Sequence, residues 1–437
     1  MRGLSVGVWV KAGTRHERPR EEGSCHFLEH MLFKGTTRLS ALELAKIMDQ
    51  AGGDFNAFTA REYTCFHLLL LNKDFRLGLG ILGDILLNSQ LPPEEMERER
   101  NVILQEIAMI EESPEEMVHD CFFELAFGKH RLGAPILGSV RSVRGVQRKA
   151  LLRFFHQHYR PSQLVIAVAG DVAHSELKAA LSSLASPHWP GRKPQVAGKA
   201  VKPRRSATPA LASAAGPLRQ RLGIDPREPL PVVSSGFWWV ERPTEQVHLV
   251  WGVEGQRVDS KDRFAALLLN IYLGGGMSSS LFQEIREKNG LAYTVYSSLS
   301  PFADSGLFSI YAATGASQVS LCLKLIEECV DRVKRVPLEE AELEMIRNNL
   351  KNTILISSDD VETRMSSIAK NEIYFGKYIS VEEVCDAIDR VTPADIRRVA
   401  RQLFAQPGRT IVALGPKPSK TLQKQYNLEF PGRFARK

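Results

Sequence analysis

The sequence predicts an α+β protein made of two homologous α/β domains, each a sheet covered on one face by helices. Three observations lead there. A chain of 437 residues exceeds what one ordinary hydrophobic core organises, so it is expected to divide. Two stretches then follow one script. Pro92-Pro93-Glu94-Glu95 opens a long helix, Phe127-Gly128-Lys129 follows a second helix, and Val165-Ile166-Ala167-Val168-Ala169-Gly170 ends the series as a strand. Pro337-Leu338-Glu339-Glu340, Phe375-Gly376-Lys377 and Ile411-Val412-Ala413-Leu414-Gly415 repeat these landmarks at nearly equal intervals, which reads as an internal duplication. Between the copies, residues 191–235 are rich in Pro, Ala, Ser and Arg and carry no sustained periodicity, so a linker is expected, mobile around Ala197 to Gln220. The expected division is 1–190, a linker over 191–235, and 236–437.

The elements follow in order. Leu4 to Val10 alternates valines as a strand does, with no signal or transit segment ahead of it. A start this abrupt is expected where an upstream leader or edge strand is missing. Ser24 to Phe33 is an apolar helical stretch, and Gly52-Gly53 stops the next helix before an edge strand, Asp54 to Phe58. Phe66 to Leu71, the longest apolar run, suits a buried strand and falls far short of the ~18 residues of a membrane span. Glu94 to Glu112 is a long helix. Gln246 to Gly252 opens the second domain as a strand, and Leu281 to Tyr293 reads as a helix closed by Gly290 that runs into another strand.

Composition narrows the class. With 43% hydrophobic and 24% charged residues the chain is globular. Its six cysteines form no C-x-x-C pair, which fits reduced thiols in a cytosol-like compartment. The net charge of +7 is local: eight Lys/Arg and no acidic residue lie between Arg192 and Arg221, and the remainder is near neutral. No aromatic interleaving or nucleic-acid motif accompanies that run, so no nucleic-acid partner is expected.

The chemistry is concentrated at His26-Phe27-Leu28-Glu29-His30. Residues four apart share one helix face, so His26 and His30 form half of a tetrahedral zinc site, with Glu29 placed to activate water. The order inverts the His-Glu-x-x-His helix of common metallopeptidases. Cys25 is a poor ligand, since adjacent helix positions point ~100° apart. A third protein ligand is required. On the helix 94–112, Glu106 sits among Val102, Ile103, Leu104, Ile107 and Ile110, where the helix meets the core, and Glu99 lies on nearly the same face. Spacing alone leaves Glu106 as ligand and Glu106 as an ordinary core-edge carboxylate both open.

These residues, together with Gly53-Asp54-Phe55-Asn56-Ala57-Phe58-Thr59, Arg131-Leu132-Gly133-Ala134-Pro135-Ile136-Leu137-Gly138 and Gly274-Gly275-Gly276-Met277-Ser278-Ser279, resemble the pitrilysin-type zinc peptidases. The likeness is strongest to the branch holding the β subunit of mitochondrial processing peptidase and its single-chain bacterial relatives. The resemblance implies a clam-shell of two mostly antiparallel domains and a Zn²⁺ ion on His26, His30 and Glu106, with Glu99 behind them. It also implies a zinc endopeptidase that cuts unfolded peptides or N-terminal extensions, with Glu29 as general base. Asn56 and Ala57 would lie on the strand to which substrate adds, Glu116 and Asp120 would receive a basic substrate residue, and Arg286 and Tyr293 would bind the substrate backbone and the developing oxyanion. A solvated acidic helix start competes as an explanation for Glu116 and Asp120. Ser280 departs from the pattern, since many relatives carry Arg there.

The second copy, Met345-Ile346-Arg347-Asn348-Asn349-Leu350-Lys351, has no carboxylate at the matching register, so the second domain is expected to be metal-free. By resemblance the chain pairs with itself or with a non-catalytic homologue. It would act in a bacterial cytoplasm, or in an organelle matrix if a leader is missing. The rival expectation is a non-catalytic core or scaffold homologue, but such relatives lose metal-site residues, and here all four are present.

Overall fold

The computed structural model describes residues 3–184, 209–405 and 408–432. It is a mixed α/β structure with two antiparallel-rich sheets. The first sheet has the order β2-β3-β1-β4, with β1 Gly3–Val10, β2 Asp54–Thr59, β3 Thr64–Leu71 and β4 Leu164–Gly170, every neighbouring pair antiparallel. The second has the order β5-β9-β6-β8-β7, with β5 Gly236–Glu241, β6 Val247–Glu254, β7 Ala292–Pro301, β8 Gly306–Thr314 and β9 Thr410–Gly415. Only β5 and β9 run parallel.

Strand alternation assigns the faces. Leu4, Val6, Val8 and Val10 of β1 point into a core shared with the helices α1 Ser24–Leu32, α2 Ala41–Ala51, α3 Phe75–Asn88 and α4 Pro93–Glu112. Trp9 points the other way, and there it meets the helix Val361–Phe375, its indole Nε1 lying 3.3 Å from the Met365 sulfur. The second sheet is treated alike. Val247, Leu249, Trp251 and Val253 face the helices Arg263–Gly274, Val319–Arg335 and Pro393–Phe404. Val250 and Tyr311 face α5, Pro114–Phe127, whose Phe122 ring lies where a Cβ on Gly252 would be, at 2.4 Å. Beyond the helical layer the sequence predicts, then, the opposite face of each sheet carries one further helix, taken from the other half of the chain. Each of these two helices runs into one of the repeated Phe-Gly-Lys landmarks, at 127–129 and 375–377.

The compact units are accordingly discontinuous. One holds Met1–Ile107, Ala134–Glu228 and Ser357–Tyr378; the other holds Ala108–Gly133, Pro229–Ile356 and Ile379–Lys437. Against the expected 1–190 and 236–437, the segments 108–133 and 357–378 change sides. The linker also differs from expectation. Residues 185–208, with most of its basic run, lie outside the described residues, but Pro209–Arg221 forms a helix that buries Ala215 and Leu218 and delivers the buried Leu222 beyond its end. Its sequence has weak helical periodicity, so burial against the first unit stabilises it more than propensity does.

One buried network ties the first unit together. Arg15, fully enclosed, donates to Glu62 at 2.9 Å and to Glu228 at 3.0 Å, and the Tyr374 hydroxyl donates to Glu62 at 3.1 Å. Four distant stretches of chain therefore meet in one network. Truncating one partner of a buried pair strands the other charges and costs about 3–5 kcal/mol. Arg15→Ala should lower unfolding stability by that amount in a denaturant titration; a loss below about 1 kcal/mol would show that the network does not hold the unit.

Candidate metal centre

Helix α1 is amphipathic in a way that leaves little choice. Cys25, Phe27, Leu28, Met31 and Leu32 are all fully buried against the first sheet, and only His26, Glu29 and His30 remain half-buried on the free face. On α4, Met96, Glu99, Ile103 and Ile107 form the buried stripe, and Glu106 emerges beside its end with its side chain 35% exposed.

The two helices bring three donors together. Glu106 Oε2 lies 3.7 Å from His26 Nε2 and 3.6 Å from His30 Nε2, and the two imidazole centroids are 4.6 Å apart. All three donor atoms fall within 4.8 Å of one another. Ligand atoms about 2.1 Å from a tetrahedral zinc sit about 3.4 Å apart, so the set fits the ion with small adjustments. Among the described residues this is the only such cluster of three or more.

The surroundings fix the protonation states. His30 Nδ1 meets Glu99 Oε2 at 2.9 Å, and Glu99 Oε1 meets Lys34 Nζ at 2.7 Å. Glu99 is buried, so Lys34 balances its charge while Glu99 accepts a hydrogen bond from the Nδ1–H of His30 and leaves Nε2 free to ligate. Burial, reinforced by the nearby His30, pushes the pKa of His26 down to about 3, so its ring is neutral, the form a metal requires. Its Nδ1 is buried without a partner among the described residues. Glu29 accepts a short hydrogen bond from the Thr59 hydroxyl. Burial raises its carboxyl above the ordinary value, with Thr59 and His30 opposing. Cys25 points away, its sulfur 3.1 Å from the Thr64 hydroxyl, and burial pushes its thiol well up.

The other residues singled out by sequence fall in two places. Asn56 and Ala57 lie on β2, the edge strand of the first sheet, paired only with His67 and Phe66 of β3. Asn56 Oδ1 accepts from the Ala57 N–H at 2.8 Å. Thr59 ends the same strand, so the edge and the base are joined by one residue. Glu116 and Asp120 stand four apart on α5, and Arg286 and Tyr293 stand together, all in the second unit. The Arg286 guanidinium lies 4.7 Å over the Phe282 ring and 4.7 Å over the Tyr293 ring, while Tyr293 is largely exposed. The expected helix there is a π-helical turn, Phe282–Glu287, in which Lys288 N donates five residues back to Gln283 at 3.0 Å. At the register matching Glu106, counted from Pro92 and Pro337, the second copy carries Lys351, whose ammonium pairs with Asp389 at 2.7 Å.

Sequence reading missed Thr59 and Lys34. The signal for Lys34 was present, since it lies one helical turn after His30. Thr59 had no comparable signal, because its partner Glu29 is remote in sequence.

Residues 3–140 match the family described as insulinase, peptidase family M16, and residues 145–350 match the peptidase M16 inactive domain. An uncharacterized zinc protease of Streptomyces coelicolor is 36% identical over 98% of this chain and 88% of its own length. The chain belongs to peptidase family M16. An uncharacterized zinc protease of Mycobacterium leprae is likewise 36% identical, over 98% and 90%, and the Bacillus subtilis zinc protease YmxG is 34% identical, over 93% and 91%. The fold resembles a peptidase M16 inactive domain from Pseudomonas fluorescens, with TM-score 0.80 and 20% identity over 96% of this chain and 94% of that one. A protease from Helicobacter pylori gives TM-score 0.79 and 21% identity over 95% and 94%. Named zinc proteases at this identity support a peptidase function for this M16 chain, and the three converging donors His26, His30 and Glu106 all lie within the 3–140 match.

A hydrogen bond to a charged group contributes about 1.5–3 kcal/mol. Thr59→Val should therefore lower turnover of a peptide substrate roughly 10- to 100-fold while leaving zinc content unchanged. Wild-type turnover in that variant would show that Glu29 needs no such tether.

Proposed function

We propose that this chain is a zinc endopeptidase of unfolded peptides or N-terminal extensions. The observation that carries the reading is the convergence of His26, His30 and Glu106, with Glu29 alongside and Glu99 behind. Those three residues would hold Zn²⁺, which supplies Lewis acidity for activating water and polarising a peptide carbonyl. Glu29, buried and tethered by Thr59, takes the proton of the attacking water and returns it to the leaving amine. The free edge of β2 offers its backbone groups to an extended peptide, which aligns the scissile bond through main-chain pairing at Asn56 and Ala57.

The same proposal includes Arg286 and Tyr293 as contacts for substrate and for developing negative charge, supported by the cation–π pairing that holds them as a unit. Glu116 and Asp120, one helical turn apart, would accept a basic substrate side chain. A homodimer, or a pair with a non-catalytic homologue, and a bacterial cytoplasmic setting complete the reading. Among the described residues no helix is long and apolar enough to cross a membrane.

The test is Glu29→Gln. Hydrolysis of a quenched basic peptide should vanish while one zinc per chain is retained, since the ligands are untouched. Full activity in the variant, or wild-type protein purified without zinc affinity, would sink the enzyme reading.

A further inference from the structure

Helix α1 begins in an unusual way. Its N-cap is Gly23, at φ +87°, and supplies no side chain to the free N–H groups of the first turn. A larger residue is barred there by φ and by contact, because a Cβ would lie 2.5 Å from the Leu137 carbonyl oxygen. The missing cap comes from outside the helix. Glu17 Oε2 accepts from Gly23 N at 3.0 Å, and Glu17 Oε1 accepts from Cys25 N at 2.7 Å. Ser24 N is taken by the Glu21 carbonyl at 3.1 Å.

Glu17 is 3% exposed and has no cationic partner among the described residues. Burial pushes its carboxyl up to about 8, and the N–H groups of Cys25 and Gly23 oppose that. Both oxygens accept backbone N–H groups at the positive end of the helix. The carboxylate stands on a rigid base. Glu17 N donates to the Thr14 carbonyl at 3.1 Å, and the turn Thr14–His16 is strapped to the β2–β3 turn through Thr14 N to Ala60 O at 3.2 Å and Arg15 N to Arg61 O at 2.9 Å. The Arg15 side chain enters the buried Glu62–Glu228 network.

We infer that Glu17 is a positioning residue for the metal centre: by holding the Gly23 and Cys25 N–H groups from the Arg15 anchor, it fixes the first turn of α1 within the packing of that helix, and with it the aim of His26. This rests on the zinc reading above. A helix free to shift at its first turn would carry His26, the next residue after Cys25, away from Glu106, whereas His30 is separately held by Glu99.

The test measures Zn²⁺ affinity by chelator competition, and the Co²⁺ absorption spectrum, for wild type, Glu17→Ala and Glu17→Gln, with thermal melts alongside. Removing a group that orients a ligand costs 10- to 100-fold in metal affinity. Glu17→Ala should show a loss of about that size and an altered Co²⁺ spectrum, with kcat lowered and KM unchanged. Glu17→Gln keeps one acceptor oxygen, so it should fold and lose affinity by less, about three- to tenfold. If Glu17→Ala fails to fold, the Gln variant decides. Wild-type Zn²⁺ affinity and Co²⁺ spectrum in whichever variants fold, with only the melting temperature lowered, would overturn the inference while leaving the zinc reading intact. Wild-type protein that binds no zinc would overturn both.

Discussion

The burial of one face of α1 is the constraint on which the rest depends. Five of its nine residues are apolar and fully enclosed by the first sheet, so the helix cannot rotate without exposing Phe27, Leu28 or Met31. Each such side chain buried is worth about 1.5–3 kcal/mol. That sum fixes which face remains, and the remaining face consists of His26, Glu29 and His30. Everything else at the site is arranged around this fixed edge. Glu106 approaches from α4 because Ile103 and Ile107 are buried beside it; Glu99 and Lys34 set the His30 tautomer; Thr59 holds Glu29 from the end of an edge strand.

The chain's two halves divide the work unequally, though they share landmarks. In the first unit two imidazoles and a carboxylate converge. In the second, the corresponding helix buries Arg347 against Glu340 and Glu344, and the position matching Glu106 is Lys351, paired with Asp389. Each sheet still borrows one helix from the other half of the sequence, α5 over the second and Val361–Phe375 over the first. Neither half alone therefore contains the whole of its own core. Trp9 of the first unit packs under a helix that arrives more than 340 residues later.

Much of this was legible in sequence, for physical reasons. Residues 26 and 30 announce themselves because helical periodicity and zinc chemistry make the same demand at the same spacing. The strand at Leu4–Val10 and the stop at Gly52 follow from alternation and from a left-handed φ of +65° that glycine supplies without strain. The exchange of helices was not legible: an apolar face shows that a helix needs a partner, never which sheet provides it. Glu17 was hidden for a related reason. A cap normally stands at the helix start, whereas here the cap position is glycine and the acceptor sits six residues upstream on another turn. The helix Pro209–Arg221 was read as linker because Pro, Ala and Arg composition outweighed the modest signal of Ala215, Leu218 and Leu222.

The central claim is that the uncovered face of α1, joined by Glu106, is a three-ligand zinc site open at its fourth position. Zinc K-edge absorption on the purified protein tests this most directly. The expected spectrum is two imidazole nitrogens and carboxylate oxygen at about 2.0–2.2 Å, with a fourth light atom that exchanges with added ligand. A sulfur shell at about 2.3 Å, or a spectrum that survives His30→Ala unchanged, would contradict it.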